Sequence, residues 1–424
     1  MSDKRAKSVD EAAYNHLLVF NQAVQAWPQE LRDRLPPFEE LYLEPPGHGG
    51  RPGPVARMLA RLRKAPGPVK LLLTGQKGSG KSWTLQHMAE ELEDRFTVVQ
   101  ASATDHSGTT LAEAEISDVL VLLCQALSER MTLWQSLADA DLALRNWAAQ
   151  FKDMRGLPTV PNTTDGVNVE FSAFFARVAS RMRSDTETRS LVRAASADDL
   201  IIVANALLKV LGATKPVVVL FDDLDKIDPV CARKLFGPQF SSVGRINARM
   251  VLTYPYSLDF ENVVSQDKEV LENVQVYPGH AATGVRAEAK ARFSDVLGRL
   301  VDLSLVEGLG VEEAVAYSGG ITREFGRIMA RAFEIAALGE ALHVGLDHVQ
   351  DAILELRVDL ERSTQHAARQ ASLVEVRRSH RLKTELDYAL LNENMVVEYR
   401  NGHPWYDVHP LLAEVVDSWA RPTD

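Results

Sequence analysis

Residues Gly75 to Ser82 read Gly-Gln-Lys-Gly-Ser-Gly-Lys-Ser, an unbroken G-x-x-x-x-G-K-S. That spacing specifies a loop whose backbone amides wrap a nucleotide's phosphates. Gly75, Gly78 and Gly80 let the chain turn tightly, so that amide N–H groups and the positive end of the following helix point at one anion. Lys81 is expected to neutralise the β and γ phosphates, and the Ser82 hydroxyl to ligand a Mg²⁺ that bridges them. Gln76, Lys77, Ser79 and Trp83 complete the expected phosphate-site residues. The flanks agree with this reading: Val69, Leu71, Leu72 and Leu73 predict a buried strand before the loop, and Leu85, Met88, Leu92 and Phe96 recur at helical spacing after it.

Such a loop works with a carboxylate carried on a second strand. Residues 217 to 225 read Val-Val-Val-Leu-Phe-Asp-Asp-Leu-Asp, an apolar run suited to a strand buried on both faces and ending in acids. Ligands of parallel α/β sheets sit at that carboxyl edge. Asp222 is expected to hold the Mg²⁺ through water, and Asp223 to act as general base or to orient the attacking water.

At this point the chain resembles the P-loop ATPases of the AAA+ and STAND type, especially the origin-recognition and helicase-loader-like members. Two further segments carry the resemblance. The strand Arg249-Met-Val-Leu-Thr-Tyr-Pro-Tyr ends where the family has its sensor 1, and Ser318-Gly-Gly-Ile-Thr-Arg-Glu-Phe looks like the family's Gly-Gly-x-x-Arg sensor 2. The four motifs span roughly residues 50 to 365. The resemblance implies an α/β P-loop NTPase fold of AAA+/ASCE kind, a parallel sheet with a helical lid, and ATP with Mg²⁺ as cofactors. It implies that Thr253 helps hold the attacking water and that Arg323 senses the γ-phosphate; the alternative for Arg323 is a surface arginine paired with Glu324 or Glu312.

The departures from the family pattern are informative. Thr253 stands where Asn is common, and Asp223 where ring-forming motors have Glu; the shorter carboxylate is frequent among the switch-like STAND proteins. The segment from Tyr254 to Val285, where a neighbour-sensing arginine finger is expected, contains no arginine and only Lys268. A ring motor firing in trans is disfavoured, with Arg233, Arg245 and Arg286 left as candidates outside that window. GTP is disfavoured too, because Thr214-Lys-Pro-Val lacks the aspartate of a guanine-reading motif.

With 424 residues and 46% hydrophobic content the chain has material for two or three domains with their own cores. Its two cysteines, Cys124 and Cys231, make neither a metal pattern nor a disulfide framework, which fits a reducing cytoplasm. No apolar run approaches the ~18 residues that span a bilayer, so no membrane segment is expected. The formal charge of −11 argues against indiscriminate coating of nucleic acid while leaving room for a local basic surface.

Breakpoints set the expected domains. Residues 1–50 read as a helix over 8–34, with Ala13, Leu17, Phe20, Ala23 and Trp27 near one face, followed by a proline- and glycine-rich linker that runs on to Pro54. Arg51 or Tyr42 in that linker could touch the base, or the segment is plain linker. The ATPase core is expected over 51–282, with a short helix from Met58 to Arg63. Lys81 and Asp222 stand about 140 residues apart, more than the intervening strands need, which predicts a helical insertion at about 106–210. Trp134, Trp147, Phe151, Phe171, Phe174 and Phe175 would form its core or line a partner groove, with a break at Pro158 to Gly166.

A helical lid is expected over 283–366 and a winged-helix domain over 367–424. Leu386 to Leu391 reads as helix, then Met395 to Arg400, the turn Asn401-Gly402, and His403 to His409 read as a hairpin. Ahead of it, Arg362, Arg369, Arg377, Arg378, Arg381 and Lys383 are interleaved with one acid, Glu375. Such a stripe, above all Arg377, Arg378, Arg381 and Lys383, either contacts DNA phosphates or docks on the acidic body of its own chain.

Together these features predict an ATP-binding and slowly ATP-hydrolysing switch or scaffold in a bacterial-type multiprotein system, of defence or mobile-element kind, with a protein partner and with self-association left open. The alternative is a DNA-engaging initiator or loader-like ATPase. A small-molecule P-loop kinase is a third class, with no use for the tail or the lid sensor.

Overall fold

The computed structural model describes residues 52–104, 112–131, 168–260, 267–279, 284–401 and 403–421, with Asn15, Tyr42, Asn146, Trp147 and Ala149. The expected N-terminal helix, most of the Pro/Gly linker including Arg51, Trp134, Phe151, the break at Pro158 to Gly166 and the Gly402 turn residue lie outside the described residues. The chain divides into two compact units.

The first unit takes residues 46–74 and 84–270. Helix α1 (Pro54–Lys64) opens it. It starts four residues earlier than the sequence suggests, because a proline at the first helical position gives up only an N–H that has no intrahelical partner. Strand β1 (Lys70–Gly75) is buried from Leu71 onward. Helix α2 (Lys81–Leu92) follows the loop and stops short of Phe96, and β2 (Thr97–Ser102) comes next. Helices α3 (Ile116–Glu129), α4 (Asn168–Ser184), α5 (Thr186–Ala194) and α6 (Ala197–Leu211) lead to β3 (Val217–Asp222). After α7 (Pro229–Phe236) come β4 (Arg249–Thr253) and β5 (Lys268–Leu271).

The strands form one sheet in the order β2-β3-β4-β1-β5. The pairings of β2 with β3, β3 with β4 and β4 with β1 are parallel, with Ser102 opposite Asp222 and Leu73 opposite Thr253. Valine and leucine on both faces of β1, β3 and β4 account for their central positions, since a strand covered on both sides reads as a continuous apolar run. The carboxyl ends of β1, β2, β3 and β4 therefore meet one edge, and β1 ends there in Gly75.

Among the described residues, the helical stretch between β2 and β3 shares its apolar core with the sheet. Trp147, Phe174 and Phe175 are buried in one continuous apolar cluster with Leu72, Val99, Val219 and Leu252 of the sheet. Trp147 meets Phe174 edge-on at 6.3 Å. These three aromatics thus act as core, and α3 and α6 pack on the sheet in the same cluster.

The second unit takes residues 1–45, the loop 75–83, and 271–424. Its helices α8 (Ala287–Gly298), α9 (Gly308–Tyr317), α10 (Thr322–Leu338) and α11 (Leu346–Arg362) bury Phe293, Val315, Phe325, Phe333 and Ile353 together. Then come α12 (Ala367–Ser379), α13 (Glu385–Asn392), the antiparallel hairpin β6 (Val396–Asn401) and β7 (His403–Val408), and α14 (Pro410–Trp419). Leu411 of α14 sits in the same buried cluster as helices α8 to α11. Among the described residues no helix is long and apolar enough to cross a membrane.

Candidate functional site: phosphate loop and carboxylate edge

Gly78 adopts φ +90°, in the left-handed region. A Cβ there would lie 2.9 Å from both Arg323 Cβ and Ile321 Cγ2, so the position excludes side chains for two independent reasons. Lys81 opens α2, and its ammonium donates to the carbonyls of Gly75 (2.8 Å) and Gln76 (3.2 Å). Ser79 N–H closes the turn on Gln76 O, whereas Ser79 Oγ is buried without a hydrogen-bond partner among the described residues. An orphaned hydroxyl, three glycines and a lysine at the amino end of a helix are the donor set that a polyphosphate needs. Ser82 lies half-buried in the first turn of α2, and Trp83 packs against the apolar cluster of α8 to α11.

Arg323 stands on the first turn of α10, and its backbone N–H donates to Gly78 O at 3.4 Å. The structure therefore brings Arg323 to the phosphate loop. The carboxylates weighed as surface partners are engaged elsewhere: Glu324 with Arg327, and Glu312 with Lys290. Gly320 holds the turn before it at φ +81°, where any Cβ would collide with Val274 O at 1.9 Å. Of the linker residues weighed for base recognition, Tyr42 is described, and its carbonyl accepts from Arg299 of α8 at 3.2 Å.

On the sheet, Asp222 closes β3 and Asp223 follows at φ +65°. Aspartate tolerates that left-handed conformation, which costs most other residues more. Asp222, Asp223 and Asp225 bring one carboxylate oxygen each within 4.8 Å of one another, an arrangement able to hold a divalent cation. Asp223 is not idle: Ser102 Oγ–H donates to it at 2.6 Å, and Lys226 forms an ion pair with it. Thr253 is fully buried, and its Oγ1 accepts the N–H of Leu224 at 2.9 Å, pinning the turn that carries the acids. Ser102 was not singled out by sequence reasoning. Only the β2–β3 register, which sets it opposite Asp222, could have found it.

Of the two alternatives for the basic stretch, the ion pairs agree with engagement by acids of its own chain. Arg377 pairs with Asp407 (2.7 Å) and Asp417 (3.0 Å), Arg378 and Lys383 both pair with Glu375, and Arg369 with Glu393. The Glu375 carboxyl is held below the usual range by Lys383 and Arg378. The count of one opposing acid was correct for the local sequence and wrong for the fold, because α14 and β7 bring their own carboxylates. Arg381 remains exposed with no ion pair among the described residues.

The fold is the α/β fold of P-loop AAA+ ATPases, with a five-stranded sheet core. Residues 50–232 match the AAA ATPase domain family. No curated protein matches the sequence. Among solved structures, the chain is similar to the Walker-type ATPase of Pyrococcus abyssi, at 14% identity over 86% of this chain and 94% of that one (TM-score 0.46). It is similar to Cdc6p of Pyrobaculum aerophilum, at 12% identity over 86% and 91% (TM-score 0.39), and to the RuvB Holliday junction branch migration motor of Thermotoga maritima, at 12% over 87% and 95% (TM-score 0.38).

Proposed function

We propose that the protein is an ATP-binding, slowly ATP-hydrolysing switch or scaffold that works with a protein partner in a bacterial-type multiprotein system, of defence or mobile-element kind. The observation that carries the ATP reading is the glycine loop at Gly75–Ser82, with its orphaned Ser79 hydroxyl and oriented Lys81, leaving the same sheet that ends β3 in Asp222 and Asp223. Lys81 and the loop amides, with Arg323, are the residues that would hold the phosphates. Ser82 and Asp222 have the oxygen donors suited to Mg²⁺, which when bound neutralises charge on the phosphates.

Slow turnover follows from how Asp223 is held. To take a proton from water it must exchange a partner, since Ser102 and Lys226 already engage its carboxylate. Thr253 acts through the Leu224 amide, as a positioning residue for that turn. Turnover is the test: Asp223→Asn should keep ATP affinity within about two-fold and lower kcat about 100-fold, as expected for loss of a general base. Equal turnover in the variant would move the base elsewhere, and no ATP binding by the wild type in calorimetry would reject the reading.

A further inference from the structure

Gln76, the second residue of the phosphate loop, is only 2% exposed, and its side chain points away from any phosphate role. Its Nε2 donates to Val396 O (2.6 Å) and Leu391 O (3.3 Å), and its Oε1 accepts from Asn273 Nδ2 (2.7 Å) and the Glu398 N–H (3.3 Å). Two carbonyls at one end and two N–H groups at the other leave a single amide orientation. Asn394, held at φ +61° between α13 and β6, donates from Nδ2 to Lys77 O at 2.8 Å. Consecutive peptides of the loop are thus fastened to the C-terminal helix and hairpin.

The same hairpin supports the lid turn. Val397 and Tyr399 of β6 bury Ile321, two residues before Arg323, whose N–H reaches Gly78 O. The Gln76 carbonyl is one of the two that orient the Lys81 ammonium. A displacement of β6 would therefore be felt at both cationic residues of the phosphate site.

We propose that the helix–hairpin Glu385–Val408 is a clamp on the phosphate loop, that Gln76 and Asn394 are its positioning residues, and that a nucleoside triphosphate on the loop and the clamped hairpin stabilise each other. The mutual stabilisation rests on the reading that the loop takes ATP; the clamp does not. Reciprocity is required by linkage: if the clamp orients Lys81 for phosphate, bound phosphate must hold the clamp.

Hydrogen exchange on the full chain decides it. In the wild type, saturating Mg·ATP should slow exchange of the Val396–Arg400 amides at least about ten-fold. Gln76→Leu, of similar size, should speed that exchange without ligand and raise KM for ATP about ten-fold with kcat within about two-fold, a split that general loss of fold does not produce. Should Gln76→Leu fail to fold, Asn394→Gly keeps the left-handed backbone while removing the bond to Lys77. It should show the same faster exchange and an ATP-induced slowing below about two-fold. Ligand-free variants that exchange as the wild type does would overturn the clamp. ATP bound with no response in the wild-type hairpin would overturn the coupling alone. No ATP binding at all would remove the coupling together with the ATP reading, while the ligand-free comparison would still decide the clamp.

Discussion

Lys81 and Arg377 are both basic residues that sequence patterns mark for phosphate, and their surroundings differ in kind. Lys81 donates to two carbonyls five and six residues away, which orient its ammonium from within the loop itself. Arg377 is held by two carboxylates 30 and 40 residues away, which consume its charge. A phosphate site made from consecutive residues carries its donor set in its own sequence, and the rest of the fold only adjusts how that set is held. One made from a charge count keeps it only if no distant acid folds back onto it.

The sharpest way to break this contrast is Lys81→Ala. It removes one charge, a short aliphatic stem and two bonds to loop carbonyls, and no residue of the apolar core, so the fold should persist while ATP affinity falls about 100-fold, the loss of a charge-assisted contact to phosphate. Calorimetry and a thermal melt together check it. Unchanged affinity would mean that the loop is no more a phosphate site than the Arg377 cluster is.

Titration sharpens the other side. If charges in the C-terminal segment serve the fold, its buried ionisable groups should appear in stability. His409 is 1% exposed at the N-cap of α14, its Nδ1 accepts from Leu411 N–H, and burial pushes its pKa down from 6.5 to about 4 despite the opposing pull of Glu324. Protons then bind the unfolded chain more readily than the folded one between these values. The contribution is complete above about pH 6.5 and is lost as pH falls toward 4, at a cost of about 3 kcal/mol. His409→Asn preserves a capping acceptor and removes the titration, so its denaturant midpoint should fall less than the wild type's across that window. Parallel pH profiles would assign the acid sensitivity elsewhere.

Legibility in the sequence followed the range of the interaction. The loop, the strand ending in Asp222 and the hairpin around Asn401 rest on neighbours within a few residues, and each was readable from spacing. The bonds from Gln76 to Val396 and from Ser102 to Asp223 span 320 and 121 residues, and nothing local marks either. Thr253 was legible as a position and not as a role, because its hydroxyl's partner, the Leu224 amide, depends on strand order. The aromatic helices between β2 and β3 were readable as helices, while their membership in the sheet's own core was not. Pro54 looked like linker because a composition window cannot tell a loop proline from the first residue of a helix.

The smallest expected effect is the most diagnostic for DNA. Arg377, Arg378, Arg381 and Lys383 carry four positive charges, and Asp407, Asp417 and Glu375 return three negative ones through direct ion pairs, leaving a net of about one positive charge spread over Arg378, Arg381 and Lys383. A duplex contact through one cation gives a log–log salt slope near about −0.9, against roughly −3.6 if all four were free to displace counterions. Wild-type affinity for duplex DNA should thus be weak and nearly flat in salt. Reversing Arg378, Arg381 and Lys383 to glutamate should change it less than about two-fold, given the chain's overall charge of −11. Arg377 is left out of that variant because losing it strands Asp407, whose carboxyl burial already pushes upward, without its cation. A submicromolar wild-type affinity with a steep slope, abolished by the triple reversal, would show the ion pairs opening for phosphate and make the stretch a DNA contact after all.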